Sequence, residues 1–279
     1  MYGGFITPPD DDGAHFGVLF WHKDGFSTAC GHGTIALGFW AVTKGIVQTQ
    51  KDDGEVDVVI DVPSGRVVAR VAVKQNEPVH ADFVNVVSYQ LVKDLPVEVP
   101  SRNMTIHVDL AFSGAVYATL DASQFGLTVE PSRYEDFIKL GREIKSSIGQ
   151  RANHGVYDLY GVIFYNEEGD MKNEMQGVKQ RSVTIFADGQ LDRSPCGSGT
   201  GARLSVLLAE GRLAHGRSKL LHQSIISTSF QGDIVSEEQS PVEGFPACIP
   251  RVRGSANLVG RMSFFIDPSD PIFPGFLLR

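Results

Sequence analysis

Residues 30 to 45 read CGHGTIALGFWAVTKG and residues 196 to 211 read CGSGTGARLSVLLAEG. The two stretches share Cys, two Gly, Thr, Ala and a closing Gly at equal offsets, six of sixteen positions. Each follows an aromatic-bearing apolar run that reaches an Asp-Gly turn signal, FGVLFWHKDG at 16 to 25 and SVTIFADG at 182 to 189. The order is therefore strand, turn, cysteine, helix, twice over. Apolar side chains recur at helical spacing after each cysteine, Ile35, Phe39 and Val42 in one copy and Leu204, Leu207 and Leu208 in the other. Gly45 and Gly211 suit the position just past a helix C-terminus. A unit repeated a little over half the chain apart predicts duplicated α/β halves facing each other, in line with a length prior of about two domains.

Between and after the copies lie strand-like runs: VDVVIDV (56 to 62), RVVARVAVK (66 to 74), MTIHVDLAF (104 to 112), AVYATL (115 to 120), LYGVIFY (159 to 165) and SIISTSFQGDIV (224 to 235). The Pro63-Ser64-Gly65 turn predicts a hairpin between the first two. One helix outside the repeat starts at Ser132, with Glu135 completing a capping box and Phe137, Ile138, Ile144 and Ile148 on its apolar face. Pro96, Pro100 and the new strand at 104 place a boundary near residue 102. The expected halves are 1–102, carrying Cys30, and 103–262, carrying Cys196, with a loop-rich tail over 263–279 that returns to the first half.

The charge balance narrows the function classes. With 25 basic and 33 acidic side chains the formal charge is −8, and no Lys/Arg cluster exceeds the Arg251/Arg253 pair. Such a chain lacks the footprint that nucleic acid or an anionic membrane requires. No apolar run approaches the roughly 20 residues of a spanning helix, and the N-terminus carries no signal-peptide features. Three cysteines are an odd number for a disulfide framework and read as reduced thiols of a cytoplasmic protein. Cys248 lies in no motif and reads as a small buried hydrophobe. The eight histidines form no HxxxH pattern and the cysteines no CxxC, so no metal is expected. Gly197, Gly199 and Gly201 give GxGxG and not a dinucleotide fingerprint, and neither Gly-rich segment is followed by a phosphate-binding lysine.

A thiol in the first turn of a helix sits among unsatisfied N–H groups at the positive dipole end, an environment expected to favour thiolate at neutral pH. The glycines beside each cysteine leave those amides open to a carboxylate or phosphate. If the two helix starts converge across a cleft, the thiols flank one ligand on opposite faces. That is the geometry of a two-base racemase: one group removes an α-proton, the other delivers one, and the amides stabilise the enediolate. Asp192 could accept from a substrate ammonium, and His32 could face the same pocket. A cysteine hydrolase with His15 or His32 as base also stays open at this point.

ACGHGTIALG around Cys30 and DRSPCGSGTGAR around Cys196 resemble the two signature segments of the proline racemase family. MYGGFITPP at the start, HVDLAFSGAVYA at 107 to 118 and the DPxDPxxxGFLL ending at 267 to 278 are similar to family segments too. The resemblance implies an α/β (α+β) fold of two pseudo-symmetric diaminopimelate epimerase-like domains, each a mostly antiparallel curved sheet around a central helix, with the site in the cleft between them. It implies cofactor-free proton transfer on free proline or hydroxyproline, with Cys30 and Cys196 as alternating base and acid. Gly31, His32, Gly197 and Ser198 would supply carboxylate-binding amides, and Asp192 the contact to the ring nitrogen. A homodimer is the expected assembly.

The family divides by residue type at the two cysteine positions. Cys with Cys, or Ser with Cys, implies racemisation or 2-epimerisation and Cys with Thr the trans-3-hydroxy-L-proline dehydratases; both are Cys here, yet WHKDGFSTACGH, YDLYG and TIFADGQLDRSP are closer to the dehydratase branch. Racemase or epimerase is the first reading, dehydratase the second, and a ligand-binding homologue without turnover the third. Two departures stand out. Family members begin with about 60 further residues by comparison with a typical domain length, including a strand and an HTGG-like segment, whose loss would open a sheet edge. Ser113 and Ala115 replace the family's Gly and Asn, which is expected to alter substrate contacts there.

Overall fold

Strand-length apolar runs dominate the sequence, and the computed structural model, which describes residues 2–49, 52–170 and 176–273, joins them into one continuous sheet. In chain order the elements are β1 (Gly3–Thr7), β2 (Phe16–His22), β3 (Gly25–Ser27), α1 (Gly31–Thr43), β4 (Gly54–Val62), β5 (Gly65–Lys74), β6 (Glu77–Val84), β7 (Ser88–Val99), β8 (Met104–Phe112) and β9 (Val116–Asp121). They continue with α2 (Tyr134–Ile148), β10 (Leu159–Asp170), β11 (Gln176–Phe186), β12 (Gln190–Leu191), α3 (Gly197–Ala209), β13 (Ser218–Ser224), β14 (Ser229–Glu238) and β15 (Ala247–Gly254). Pairing is antiparallel except for β2–β4, β9–β10 and β11–β13.

The sheet curls into two walls, each around one repeat helix. The second wall runs β7-β8-β9-β10-β11-β13-β14-β15 and closes on itself, because β15 returns to β7 through Ala247↔Tyr89 and Cys248↔Ser88. A closed wall leaves its helix no solvent face, and α3 is buried without a break from Gly197 to Leu207. The first wall, β1-β2-β4-β5-β6, ends at β1 and joins β15 through β6. It covers one side of α1: Ile35, Gly38, Ala41 and Val42 are buried, Leu37, Phe39 and Trp40 only partly. Gly38 permits this approach, since a Cβ there would stand 2.7 Å from that of Ala69.

Strand β15 is the seam, pairing with Ala81–Val84 of β6 on one stretch and with Ser88–Tyr89 of β7 on the other. Arg253 donates to both oxygens of Asp82 at 2.6 and 2.8 Å, and Arg251 to Asp233 at 2.9 and 2.7 Å. The one clustered Arg pair is thus neutralised in structure, as fork-to-carboxylate geometry favours. A core of Val18, Phe20, Ile35, Ile60, Val71 and Phe83 lies under α1. A second core lies between α2 and the outer face of the second wall, with Phe137, Leu140, Ile144 and Ile148 inward; each such side chain contributes about 1.5–3 kcal/mol by burial.

The β4–β5 hairpin forms as the turn predicts, with Val62 opposite Gly65, and Gly45 and Gly211 take left-handed φ of +66° and +71° past their helices. Two expectations are corrected. No capping box forms: Pro131–Arg133 is a 3₁₀ turn, α2 begins at Tyr134, and the Ser132 hydroxyl donates to Glu130 at 2.7 Å. Pro131 fixes the entry into the turn and leaves Ser132 inside it; Ile138 is only half-buried, while Leu140 and Gly141 complete the buried face. The run 224–235 is not one strand. Ser227 takes φ +66° and Ser224 N–H donates to Thr228 O at 2.8 Å, which folds the run into a β13–β14 turn. Residues 255–273 contain no strand or α-helix, and the GFLL segment at 275 to 278 lies outside the described residues. Among the described residues no helix is long and apolar enough to cross a membrane.

Gly141 seats α2 on β11: a Cβ there would lie 2.6 Å from that of Ile185. Gly141→Ala is expected to lower stability by about 1–3 kcal/mol through overpacking, read as a lower midpoint in chemical denaturation.

Candidate active site

The shared letters of the repeat each have a structural cause. Cys30 and Cys196 are the N-cap residues of α1 and α3. The glycine one place on lets the helix starts touch: a Cβ on Gly31 would stand 2.8 Å from Gly197 Cα, and one on Gly197 2.7 Å from Gly31 Cα. The glycine three places on makes room for sulfur, because a Cβ on Gly33 or Gly199 would lie 3.0 Å from its own cysteine Sγ. Cys30 Sγ accepts from Gly33 N–H at 3.3 Å. The threonine four places on donates its hydroxyl to the cysteine carbonyl, at 2.9 Å for Thr34 and 2.7 Å for Thr200.

The two copies differ in backbone. Cys30 is extended, with φ −149° and ψ 99°, whereas Cys196 has φ +63° and ψ 113°, a conformation that costs a non-glycine residue about 1–3 kcal/mol. The loop before Cys196 holds it there. Asp192 N–H donates to Thr184 O at 2.9 Å, Ser194 N–H to Asp192 Oδ1 at 2.8 Å, and Cys196 N–H to Ser194 Oγ at 3.1 Å.

All seven residues singled out in the sequence, Cys30, Gly31, His32, Asp192, Cys196, Gly197 and Ser198, line one cleft of about 690 Å³ between the walls. The first-turn amides of both helices have no intrahelical acceptor, and the buried Ser198 hydroxyl has no partner among the described residues. His32 stands at the rim: its ring reaches Ser255 O at 3.3 Å and lies edge-on to Phe230. It bonds to neither sulfur, and His15, exposed, accepts from Val59 N–H at 2.9 Å. No histidine pairs with a cysteine among the described residues, which corrects the hydrolase alternative. Cys248 is fully buried in the core.

Thiolate at rest is also corrected. Burial pushes both Cys30 and Cys196 up to about 12, and the nearby Asp192 carboxylate adds to the rise; hydrogen bonds from Gly33, Tyr117 and Gly199 act the other way and are outweighed. Asp192 is itself raised by burial. Of the two departures, Ala115 packs in the buried cluster that holds Tyr117 and Cys196. Ser113 is buried, accepts from Asn85 Nδ2 at 2.9 Å and lies 2.8 Å from the Ser88 hydroxyl, and neither residue lines the cavity.

Sequence reasoning missed the aromatic wall of the cleft, formed by Tyr2, Phe20, Tyr117, Tyr160 and Phe186. Tyr117 Oη lies 3.7 Å from Cys196 Sγ. The period-2 alternation of AVYATL was the available signal: it sets Tyr117 and Thr119 on one face of β9, where Thr119 accepts from Arg203 of α3 at 2.9 Å.

Two curved walls of one sheet, each around a helix whose first turn presents a cysteine to a shared cleft, define the diaminopimelate epimerase-like class. The chain belongs to the proline racemase family, whose profile matches residues 1–277. It is 37% identical to a trans-3-hydroxy-L-proline dehydratase from Bacillus cereus, over the whole chain and 81% of that protein. It is 38% identical to a 3-hydroxyproline 2-epimerase from Burkholderia multivorans, over the whole chain and 82% of that protein. A crystal structure of a hydroxyproline epimerase from Agrobacterium vitis, with bound trans-4-hydroxy-L-proline, superposes with a TM-score of 0.88 at 27% identity, covering 99% of this chain and 77% of that one. A methylitaconate delta-isomerase shares the fold alone, with a TM-score of 0.54 at 13% identity. The family comprises isomerases and hydro-lyases.

The raised thiols set the expected chemistry toward alkylating agents. Iodoacetamide labelling of Cys30 and Cys196, followed by mass spectrometry, is expected to be slow at pH 7 and to rise roughly tenfold per pH unit as thiolate forms. Asp192→Asn should speed both, and Cys248 should label only on unfolding.

Proposed function

We propose that this chain removes and returns the α-proton of a free hydroxyproline, with Cys30 and Cys196 as opposed acid and base and no cofactor. The observation that carries the reading is the contact of Gly31 with Gly197, which brings two N-capping thiols to one cleft from different walls. The amides of Gly31, His32, Gly197 and Ser198, with the Ser198 hydroxyl, receive the substrate carboxylate and stabilise the enediolate that forms when the α-proton leaves. Asp192 receives the ring ammonium. That pairing offsets the carboxylate charge that helps keep both thiols protonated, so binding itself favours the base form.

In the isomerase reading one thiolate takes the α-proton and the opposite thiol supplies one from the other face, giving 2-epimerisation. A second reading is favoured by the dehydratases among the relatives and by the phenol beside Cys196: the same α-proton is removed, and a 3-hydroxyl then leaves as water. Both begin with one proton transfer to sulfur.

Proton NMR in D2O with trans-3-hydroxy-L-proline, trans-4-hydroxy-L-proline and L-proline tests the shared step. Loss of the α-proton signal of at least one substrate is expected, and its persistence in all three would sink the proposal. Cys30→Ala and Cys196→Ala should each lower epimerisation on the order of 10²–10⁴-fold. A rate that rises with pH from neutrality, following thiolate formation, is the accompanying expectation, because both thiols start protonated.

A further inference from the structure

Both cysteine carbonyls are held by a threonine hydroxyl, but only the strained cysteine has a further side chain behind its threonine. Thr34 donates to Cys30 O at 2.9 Å, and among the described residues its hydroxyl has no second side-chain partner. Thr200 donates to Cys196 O at 2.7 Å and also lies 2.9 Å from His222 Nδ1. A hydroxyl has one proton and a carbonyl oxygen can only accept, so the Thr200 proton is committed to Cys196. His222 is consequently the donor, through Nδ1–H. Its Nε2 then holds a lone pair, and this atom has no partner among the described residues.

The surroundings fix that donor. His222 is fully buried, opposite Gln180 of β11 on one side and Phe230 of β14 on the other. Burial and the Arg203 charge keep the ring neutral at physiological pH, so it carries a single N–H. The consequence runs through a peptide plane. Cys196 O and Gly197 N–H belong to one rigid trans unit and point in opposite directions. Holding the oxygen on Thr200 therefore aims the Gly197 amide, one of the donors assigned above to the substrate carboxylate. Cys196 has φ +63°, and strain of that kind persists only where the surroundings over-determine it. Cys30, extended at φ −149°, needs no such support.

We propose that His222 is a positioning residue: its Nδ1–H holds the Thr200 hydroxyl on the Cys196 carbonyl, and so fixes both the strained backbone that carries the Cys196 thiol and the direction of the Gly197 amide. The role rests on the part given above to Cys196 and Gly197 in proton transfer. His222 does not line the cleft and acts only through Thr200. The second half of the site thereby depends on β13, a strand none of whose residues lines the cleft.

Two substitutions separate the donor from the bulk of the ring. His222→Asn keeps an N–H near the position of Nδ1 in a much smaller side chain, whereas His222→Leu keeps more of the volume and has no donor. Both are compared with wild type by α-proton exchange in D2O, using the hydroxyproline that wild type exchanges fastest, and by iodoacetamide labelling of Cys196 with Cys30 as the reference in the same sample. His222→Leu is expected to lower kcat/KM for exchange on the order of 10–10²-fold. It should also speed Cys196 labelling relative to Cys30 about 2–10-fold, since one hydrogen bond fewer resists local opening. His222→Asn should recover most of both. A role in packing alone predicts the reverse order, with Asn the worse, and that order would overturn the proposal. So would wild-type exchange and labelling in His222→Leu. Absence of exchange by wild type would remove the two-thiol reading, while the labelling ratio would still decide whether His222 holds Cys196. Should His222→Leu fail to fold, Thr200→Val and Thr200→Ser put the same question to the next group in the chain. Val is expected to reproduce the loss and Ser to retain activity, and wild-type exchange and labelling in Thr200→Val would count against the role.

Discussion

The close approach of two helix starts at Gly31 and Gly197 is the constraint on which the rest of the structure depends. Helix N-termini carry partial positive charge, and bringing two of them together with Cα and carbonyl carbon within 3 Å of a hypothetical side chain is unfavourable in itself. Folding must hold them there, and the closed wall around α3 does so. Once held, the pair of dipole ends faces one cleft from two directions, and in the proposed reading both receive one anion. In that reading the same contact sets the cysteines on opposite sides of the ligand. Glycine is required at both contact positions for a steric reason, and at the third position of each helix for the sulfur.

The halves are similar in plan and unequal in execution. α3 is fully enclosed and carries polar groups inward, which a helix lying on an open wall would turn to water. Arg203 is fully buried, stacks over Tyr165 at 3.9 Å and donates to Thr119 and Gln180. His222, also buried, is pushed down to about 3 by burial and the Arg203 charge, so it is neutral when it meets the Thr200 hydroxyl at 2.9 Å. Thr200 in turn holds the Cys196 carbonyl. The enclosed half thereby fixes its cysteine through buried polar contacts, including the strained backbone at Cys196, whereas α1 relies on apolar packing against β5 and β6. Strand β9 reads the same helix twice, Thr119 at Arg203 and Tyr117 at the sulfur.

This division also explains what was legible in the sequence. The repeat was legible because its demands are local: glycine at two fixed offsets, threonine to hold the cysteine carbonyl, glycine past the helix end. Those demands leave the same letters in both copies, and the seven residues they and their neighbours nominated do meet at one cleft. The aromatic wall was not legible, since Tyr2, Tyr117 and Tyr160 come from β9, β10 and the residue before β1 and converge only through strand pairing. The same limit applies to the thiols. Their first-turn position argues for thiolate, but the burial that wins comes from Phe20, Tyr117 and the cleft walls, which no local window contains. At Ser132 the letters of a capping box were present, and Pro131 set the turn before them.

Raised thiols look at odds with a base, and the resolution lies in how many charges the cleft can carry. Two thiolates facing each other beside the Asp192 carboxylate would put three negative charges in one cleft, where Asp192 already raises both thiols and Cys30 raises Cys196. Proton transfer across a substrate needs one thiolate and one thiol, never two thiolates. A cleft that strongly disfavours the doubly ionised state enforces that pairing. In the proposed reaction the substrate tips the balance by its ammonium, which neutralises the Asp192 carboxylate that raises both thiols. In the proposed mechanism burial of the thiols is therefore part of the acid–base design. On that proposal it keeps both groups protonated until a zwitterion is in place, and it allows one proton at a time to move.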